Sequence, residues 1–586
     1  MHTNLRSFIS MLQKEKEIIT ITKEVDPYLE IPELHRRVID EQGPALLFTN
    51  VKGKDIPVVT NLFGTIRRVD MAFGPKPEKI VKDLVSSIDE LMPPTFSALW
   101  KRKGLIKDVT SLGTKMVSEK SAPITDVSTQ NFNMKDLPAL TGWHLDSNPF
   151  VTLPLVYTEH PDKHEHNLGM YRIEIKEPKK TGIHWQIHKG GGFHYHAAEK
   201  KNEALPVTLF LGGPPSLMIS AIAPLPEAVP ELMFSSLLMG EKLKLTKVDG
   251  HPHPLIAEAE FAFGGHVPPR IREPEGPFGD HYGYYSWAHD FPVFNVEKMW
   301  KRKDAIYPAT VVGKPRQEDY FIGEYLQRLM SPLFPVVMNG VRDLWTYAET
   351  GFHALAGAVV RESYYKEGLA HAFRIMGEGQ LTLTKFLMVT NKPVNLQNFS
   401  ELLEGVLERF LPERDLLIIH DTSMDTLDYT GRKLNTGSKA IMTGLGEPVR
   451  ELQRTYNGGP VGGAGNIEVF CGGCLCVSGP SFDEAPDYAE ALLQTSGEAF
   501  KGWPLVVLVD DASIARKQSS FLWTVFTRFD PAYDVYAKGT IDRNRVKYEG
   551  TIIIDARMKP FYPPVVETRD DIKSLVDSRW TEYFKS

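Results

Sequence analysis

Cysteine is scarce: three residues in 586 cannot cross-link a chain of this length, which excludes a disulfide scaffold and favours a reducing compartment. Long apolar runs are missing as well. Nothing approaches the roughly eighteen consecutive apolar residues of a membrane span. The opening stretch, MHTNLRSFISMLQKEKEIITI, has neither the apolar core nor the small-residue cleavage site of a secretion signal. A cytoplasmic protein without a membrane span is expected. There is also no block of Lys and Arg, and 67 basic against 74 acidic residues leave a formal charge of −7. That balance speaks against a polyanion-binding surface, so nucleic acid is not an expected partner.

What is present is the composition of a folded protein, 42% hydrophobic and 24% charged, in a chain too long for one ordinary core. Leu5, Phe8, Ile9 and Leu12 recur at helical spacing over residues 4–15, and a second helix is expected over 31–41. Short β-prone runs such as Ala45-Leu-Leu-Phe48 accompany them, so an N-terminal α/β domain is expected over 1–117. Over 118–316 short apolar runs broken by Pro and Gly predict a compact β-barrel or sandwich with few helices. A connecting helix is expected within 317–335, ending at Pro332, and a C-terminal α/β domain over 336–586.

That last part contains an approximate repeat. Lys385-Phe-Leu-Met-Val-Thr-Asn and Pro504-Leu-Val-Val-Leu-Val-Asp are buried-strand runs, followed by Arg409-Phe-Leu-Pro-Glu-Arg-Asp and Arg528-Phe-Asp-Pro-Ala-Tyr-Asp at a constant offset of 119 residues. A duplicated strand–helix–strand unit and convergence of two ordinary β–α units both account for it. Between the copies lie Gly458–Gly465 and Cys471-Gly-Gly-Cys-Leu-Cys476. A fourth cysteine is missing, so buried thiols beside a Gly-rich turn are expected rather than a metal site.

Four polar clusters stand in the β-rich middle. Asn167-Leu-Gly-Met-Tyr-Arg172 places a carbonyl oxygen and a permanent cation on one expected strand; its plain reading is an outward-facing Arg. His184-Trp-Gln-Ile-His188-Lys-Gly-Gly-Gly sets an imidazole beside a glycine run, which suits a phosphate or metal approached closely by backbone. His194 and His196, just beyond, are read as structural or solvent-facing. Pro224-Leu-Pro-Glu-Ala-Val-Pro-Glu231 leads into an apolar helix, where a first-turn carboxylate is ordinarily a cap. With Asn167 and His188, Glu231 completes an O/N/O set suited to Mn2+ or Mg2+, with phosphate and water filling an octahedron. In Arg272-Glu-Pro-Glu275-Gly-Pro-Phe-Gly-Asp280-His-Tyr-Gly-Tyr, two acids share a loop rich in Gly and Pro. Paired acids near a cation are how one carboxyl is kept protonated while another stays charged; the plain reading is a surface acidic turn.

These four clusters in this order, with the opening Leu5-Arg-Ser-Phe-Ile and Ile21-Thr-Lys-Glu-Val-Asp-Pro, resemble the UbiD decarboxylase family over roughly residues 1–440. The resemblance implies an α/β multidomain fold: an N-terminal α/β domain, a central split β-barrel holding prenylated FMN, a linker helix and a C-terminal α/β oligomerisation domain. It implies Mn2+, with K+ beside it, held by Asn167, His188 and Glu231 against the cofactor phosphate. Lys385 resembles the family's phosphate lysine, and cofactor contacts are implied for Met170, Tyr171, Arg172 and Gln186. Arg172, Glu275 and Asp280 match the family's catalytic Arg–acid–acid set; Asp rather than Glu in the last position resembles the hydroxybenzoate branch. A homodimer or homohexamer is implied, with a flavin prenyltransferase as cofactor supplier. The chain departs from the family in its additional C-terminal residues, where Pro504 stands in place of Lys385. That longer form resembles members linked to menaquinone formation.

Loss of CO2 from an aryl carboxylate leaves an sp2 carbanion that no side chain delocalises, so a cofactor must act as electron sink. The expected activity is reversible non-oxidative decarboxylation of a hydroxybenzoate- or naphthoate-type acid in quinone biosynthesis, through a covalent adduct on the prenylated flavin. Arg172 would bind the carboxylate, and Glu275 and Asp280 would share proton handling, Asp280 as donor. A non-catalytic flavin-binding or assembly protein, an aromatic acid carboxylase, and a flavin-independent metal hydrolase are the competing readings.

Overall fold

The computed structural model describes residues 2–91, 112–185, 190–223, 225, 229–314, 316–495 and 497–584. The chain divides into two compact units, Met1–Leu329 with Val565–Ser586, and Met330–Pro564.

In the first unit the helix Leu5–Lys14 buries Leu5, Phe8, Ile9 and Leu12, and Asn4 caps it by accepting from the Ser7 N–H. It accompanies a four-stranded sheet in the order Ile18–Ile21, Ala45–Phe48, Val58–Thr60, Tyr307–Pro308. The closing helix, Asp570–Phe584, belongs to this unit: on the helix Glu30–Asp40, Glu30 accepts from Tyr583 at 2.5 Å and Arg37 pairs with Asp577. Periodicity carries no information about which distant helix an amphipathic one meets.

The centre of the unit is a ten-stranded sheet. Its main path runs Phe150–Val151, Ile173–Glu177, Lys180–Ile183, His289–Lys301, Phe261–Val267, Leu205–Leu211, Leu155–Glu159, His166–Gly169. The strands His166–Gly169 and Ile173–Glu177 lie six positions apart in that order, which in a flat sheet is roughly 29 Å. Only residues 170–172 join them, a span of at most about 14 Å. The sheet must therefore roll until its ends come round towards each other, as in a barrel left open on one side. Val207, Leu209, Leu211, Phe261, Phe263, Ile173 and Ile183 fill its inside.

One local expectation is corrected here. Asn167 and Arg172 do not share a strand; the chain leaves the edge strand after Gly169 and enters, at Ile173, the strand next to the opposite edge. The glycine run opens the helix Gly190–Lys201, which glycine's poor helix propensity concealed. The helix Glu318–Met330 forms where the connecting helix was expected.

The second unit holds two five-stranded sheets of one topology. The first runs Val341–Thr346, Leu355–Val360, Phe386–Thr390, Thr436–Gly444, Leu416–Ser423; the second Ile467–Cys471, Cys474–Ser478, Leu505–Val509, Arg545–Asp555, Val535–Asp542. In both, the outer pairings are antiparallel and the inner two parallel. The 119-residue offset holds at the starts of Leu355–Val360 and Cys474–Ser478, of Phe399–Leu407 and Gln518–Phe526, and of Leu416–Ser423 and Val535–Asp542. The two sheets thus share one strand order and, at these starts, one constant offset. All three cysteines are buried and unpaired.

Candidate active site

Where the rolled sheet is joined across residues 170–172, two clusters of polar side chains meet on adjacent residues, Tyr171 and Arg172. Arg172 forks between both loop acids. Its Nε and Nη2 donate to Glu275 at 2.7 and 2.8 Å, its Nη1 donates to Asp280, and Nη2 also reaches Ser286 Oγ at 3.0 Å. Glu275 ends the strand Arg272–Glu275, and Asp280 follows the short strand Phe278–Gly279, which pairs with Tyr285–Ser286. Gly276 takes φ +88° between them, a turn open to glycine and strained for other residues. The five-residue spacing thus brings both carboxyls to one cation.

The acids are buried, Glu275 fully and Asp280 to 8% exposure. Burial pushes the Glu275 carboxyl up, but Arg172 and His184 outweigh it and hold the group at about 2. Asp280 is likewise raised by burial and then carried below its ordinary range by Arg172 and His281. The expectation that one of the two stays protonated does not hold in this arrangement, because a single guanidinium serves both. His184, pushed down by burial and by the Arg172 charge, is neutral and donates from Nδ1 to Glu275 at 3.0 Å. His281 Nδ1 lies 2.8 Å from Asp280, and its side chain is 25% exposed.

Sequence reading missed several supports of this cluster. Asp146 accepts from the N–H groups of Gly142, Trp143 and Gly279, tying a distant loop to the residue before Asp280. Burial raises its carboxyl to about 7. Asp319, in the first turn of Glu318–Met330, is raised by burial and lies within the electrostatic reach of His281 and Asp280. None has a spacing signature, since each reaches the site from another part of the chain.

The second cluster surrounds Asn167. This buried amide donates from Nδ2 to Tyr171 Oη at 3.2 Å, and the same oxygen accepts from the Gly191 N–H at 3.1 Å. A Cβ on Gly190 would fall 2.2 Å from Asn167 Oδ1, so the helix start must be glycine for the two to approach. Glu231, in the first turn of Glu231–Met239, accepts from the Leu168 N–H at 3.2 Å, which brings it beside Asn167. Burial raises its carboxyl. His188 and Gln186 lie outside the described residues. Met170, half-buried, donates its N–H to Ala221 O. Trp185 Nε1 is buried beside Gly191 and has no hydrogen-bond partner among the described residues. Lys385, in the second unit, is fully buried and paired with Asp428 at 2.9 Å.

Three family models match in succession. They are the N-terminal domain of 3-octaprenyl-4-hydroxybenzoate carboxy-lyase over residues 9–88, its Rift-related domain over 115–315 and its C-terminal domain over 320–444. A protein of Chlamydia pneumoniae, named as one of the subunits of a 4-hydroxybenzoate decarboxylase, is 49% identical, over 99% of this chain and 98% of its own length. Among solved structures, the closed form of Sedimentibacter hydroxybenzoicus vanillic acid decarboxylase superposes with a TM-score of 0.68 at 21% identity, covering 78% of this chain and 96% of that one. The enzyme HmfF from Pelotomaculum thermopropionicum, in complex with FMN, gives 0.62 at 22% identity, covering 76% and 95%. At these identities the likeness speaks for the fold. The last family model stops at residue 444, whereas the chlamydial relative extends across the second sheet. Among the described residues no helix is long and apolar enough to cross a membrane.

Proposed function

Because the chain belongs to the UbiD family of carboxy-lyases, we propose that it decarboxylates an aromatic acid of the hydroxybenzoate type, reversibly and without oxidation, with prenylated FMN as cofactor. The observation that carries this reading is the buried Arg172 held between Glu275 and Asp280.

The residues around Asn167 fit a metal-anchored cofactor tail. Asn167 and Glu231 offer oxygen donors side by side, the glycines at 190 and 191 let backbone approach closely, and the buried Trp185 N–H lacks a partner among the described residues. These two, with His188, would hold Mn2+, with K+ beside it, against the cofactor phosphate. When bound, prenylated FMN supplies the electron sink that the departing CO2 requires.

Arg172 carries one positive charge against two carboxylates and a neutral His184. An aryl carboxylate binding to Arg172 adds a third negative charge, which favours protonation of an acid in the cluster. Asp280 takes that proton: its Oδ1 already meets His281, whose partly exposed ring connects it to solvent. Asp280 then delivers the proton to the ring carbon that CO2 has left, and Glu275, steadied by His184, keeps Arg172 oriented. The same groups run in reverse as a carboxylase at high CO2. The substrate class follows the chlamydial relative's name and the Asp at 280; a flavin prenyltransferase would supply the cofactor.

The test is Glu275→Gln in protein co-expressed with a flavin prenyltransferase and offered hydroxybenzoates. CO2 release should stop while the flavin absorbance of the purified protein is retained. Unchanged turnover would remove the proposed chemistry.

A further inference from the structure

The two sheets of the second unit are not merely alike; they grip each other reciprocally. The helices Phe399–Leu407 and Gln518–Phe526 are equivalent, and they meet at equivalent first residues: Phe399 donates its N–H to Gln518 Oε1 at 2.9 Å. Gln518 Nε2 returns a bond to Gln397 O at 2.9 Å. Contact between a position and its own counterpart marks a two-fold axis. The flanks agree. Pro531–Asp534 of the second copy packs on Thr436–Gly444 of the first, where Asp530 accepts from the Ser438 N–H at 3.1 Å. The counterpart Pro412–Asp415 packs on Arg545–Asp555. Aromatic rings fill the seam: Phe399 of the first copy meets Phe470, Phe521 and Phe526 of the second, and Phe386 of the first meets Phe526 and Phe529.

The copies differ in one respect. In the first, twelve residues, 424–435, separate Leu416–Ser423 from Thr436–Gly444 and deliver Asp428 and Thr430 to the buried Lys385. In the second, two residues, 543 and 544, make the same connection, and Pro504 stands where Lys385 would. The lysine and the loop carrying its partners are gone together. The second copy keeps the packing face and lacks that lysine and its loop.

We propose that residues 467–555 are an internal partner for residues 341–444. One chain thereby holds, across a pseudo-two-fold axis between Phe399–Leu407 and Gln518–Phe526, a pairing that a single-copy chain would have to make with a second molecule. This stands independently of the decarboxylase reading. It predicts that the seam closes within one chain.

The full chain carrying Gln397→Cys and Gln518→Cys tests it, since Gln397 is exposed, Gln518 is half-buried, and the native cysteines are buried. Isotopically light and heavy chains are mixed, unfolded and refolded together, then treated with a short bis-maleimide. The expected product runs at single-chain mass, and the linked peptide pairs light with light and heavy with heavy. Mixed pairs, a double-mass product or no link between these positions would overturn the proposal.

Discussion

A guanidinium can satisfy two buried carboxylates because its donors fan out in a rigid plane, one edge for Glu275 and one corner for Asp280. That pairing has a pH signature. A carboxyl whose folded value lies below its unfolded one stabilises the fold above the unfolded value and stops doing so as pH falls through the folded value. For Glu275 the window runs from its ordinary 4.5 down to about 2. Asp146 has the opposite sign: its folded value near 7 exceeds its ordinary 3.8, so its contribution is lost as pH rises through that interval. Thermal melting of Glu275→Gln should therefore show a smaller loss of Tm than the parent between pH 4.5 and 2. An equal loss in both would mean that Glu275 is not held ionised by Arg172. The acids were legible in the sequence as a dense run of Gly, Pro and charge, whereas Arg172 was marked out only by the family resemblance. His184, Asp146 and Asp319 were not, because their part in the site depends on folds of the chain that bring them there.

At the scale of elements, the site rests on a strut. Tyr171 is buried, its phenol pushed up to about 12, and its oxygen accepts from both Asn167 and Gly191. It thereby links a sheet edge to the start of the helix Gly190–Lys201. In Tyr171→Phe both donors lose their acceptor, at a cost on the order of 1–3 kcal/mol. If Asn167 is a metal ligand, Mn2+ affinity should fall roughly tenfold or more through misorientation of its amide, with the ligands themselves intact. Titration followed by electron paramagnetic resonance measures this, and unchanged affinity would take Asn167 out of the metal site. The glycine run by itself suggested close approach of backbone. That it opens a helix was hidden, since three glycines are poor helix formers and tertiary packing overrides them.

At the scale of the molecule, the second unit is held by a seam of aromatic rings between its copies. Phe521 is buried and its ring lies 6.1 Å, centre to centre, from Phe399 of the other copy. Its truncation to Ala should remove about 3–5 kcal/mol of stability, read by denaturant unfolding of the full chain. Because both copies share that seam, the loss should appear in one transition for the whole unit; two separate transitions would show that the copies fold without each other.

Residue chemistry and local spacing are properties of the sequence, and they determined the helices Leu5–Lys14 and Glu318–Met330, the acid pair and the 119-residue repeat. Three things were left to the tertiary structure: the roll of the ten-stranded sheet, the union of Arg172 with acids about a hundred residues away, and the reciprocal seating of the two copies. Periodicity reports which face of an element is apolar, whereas which faces meet is settled by the packing of the assembled chain.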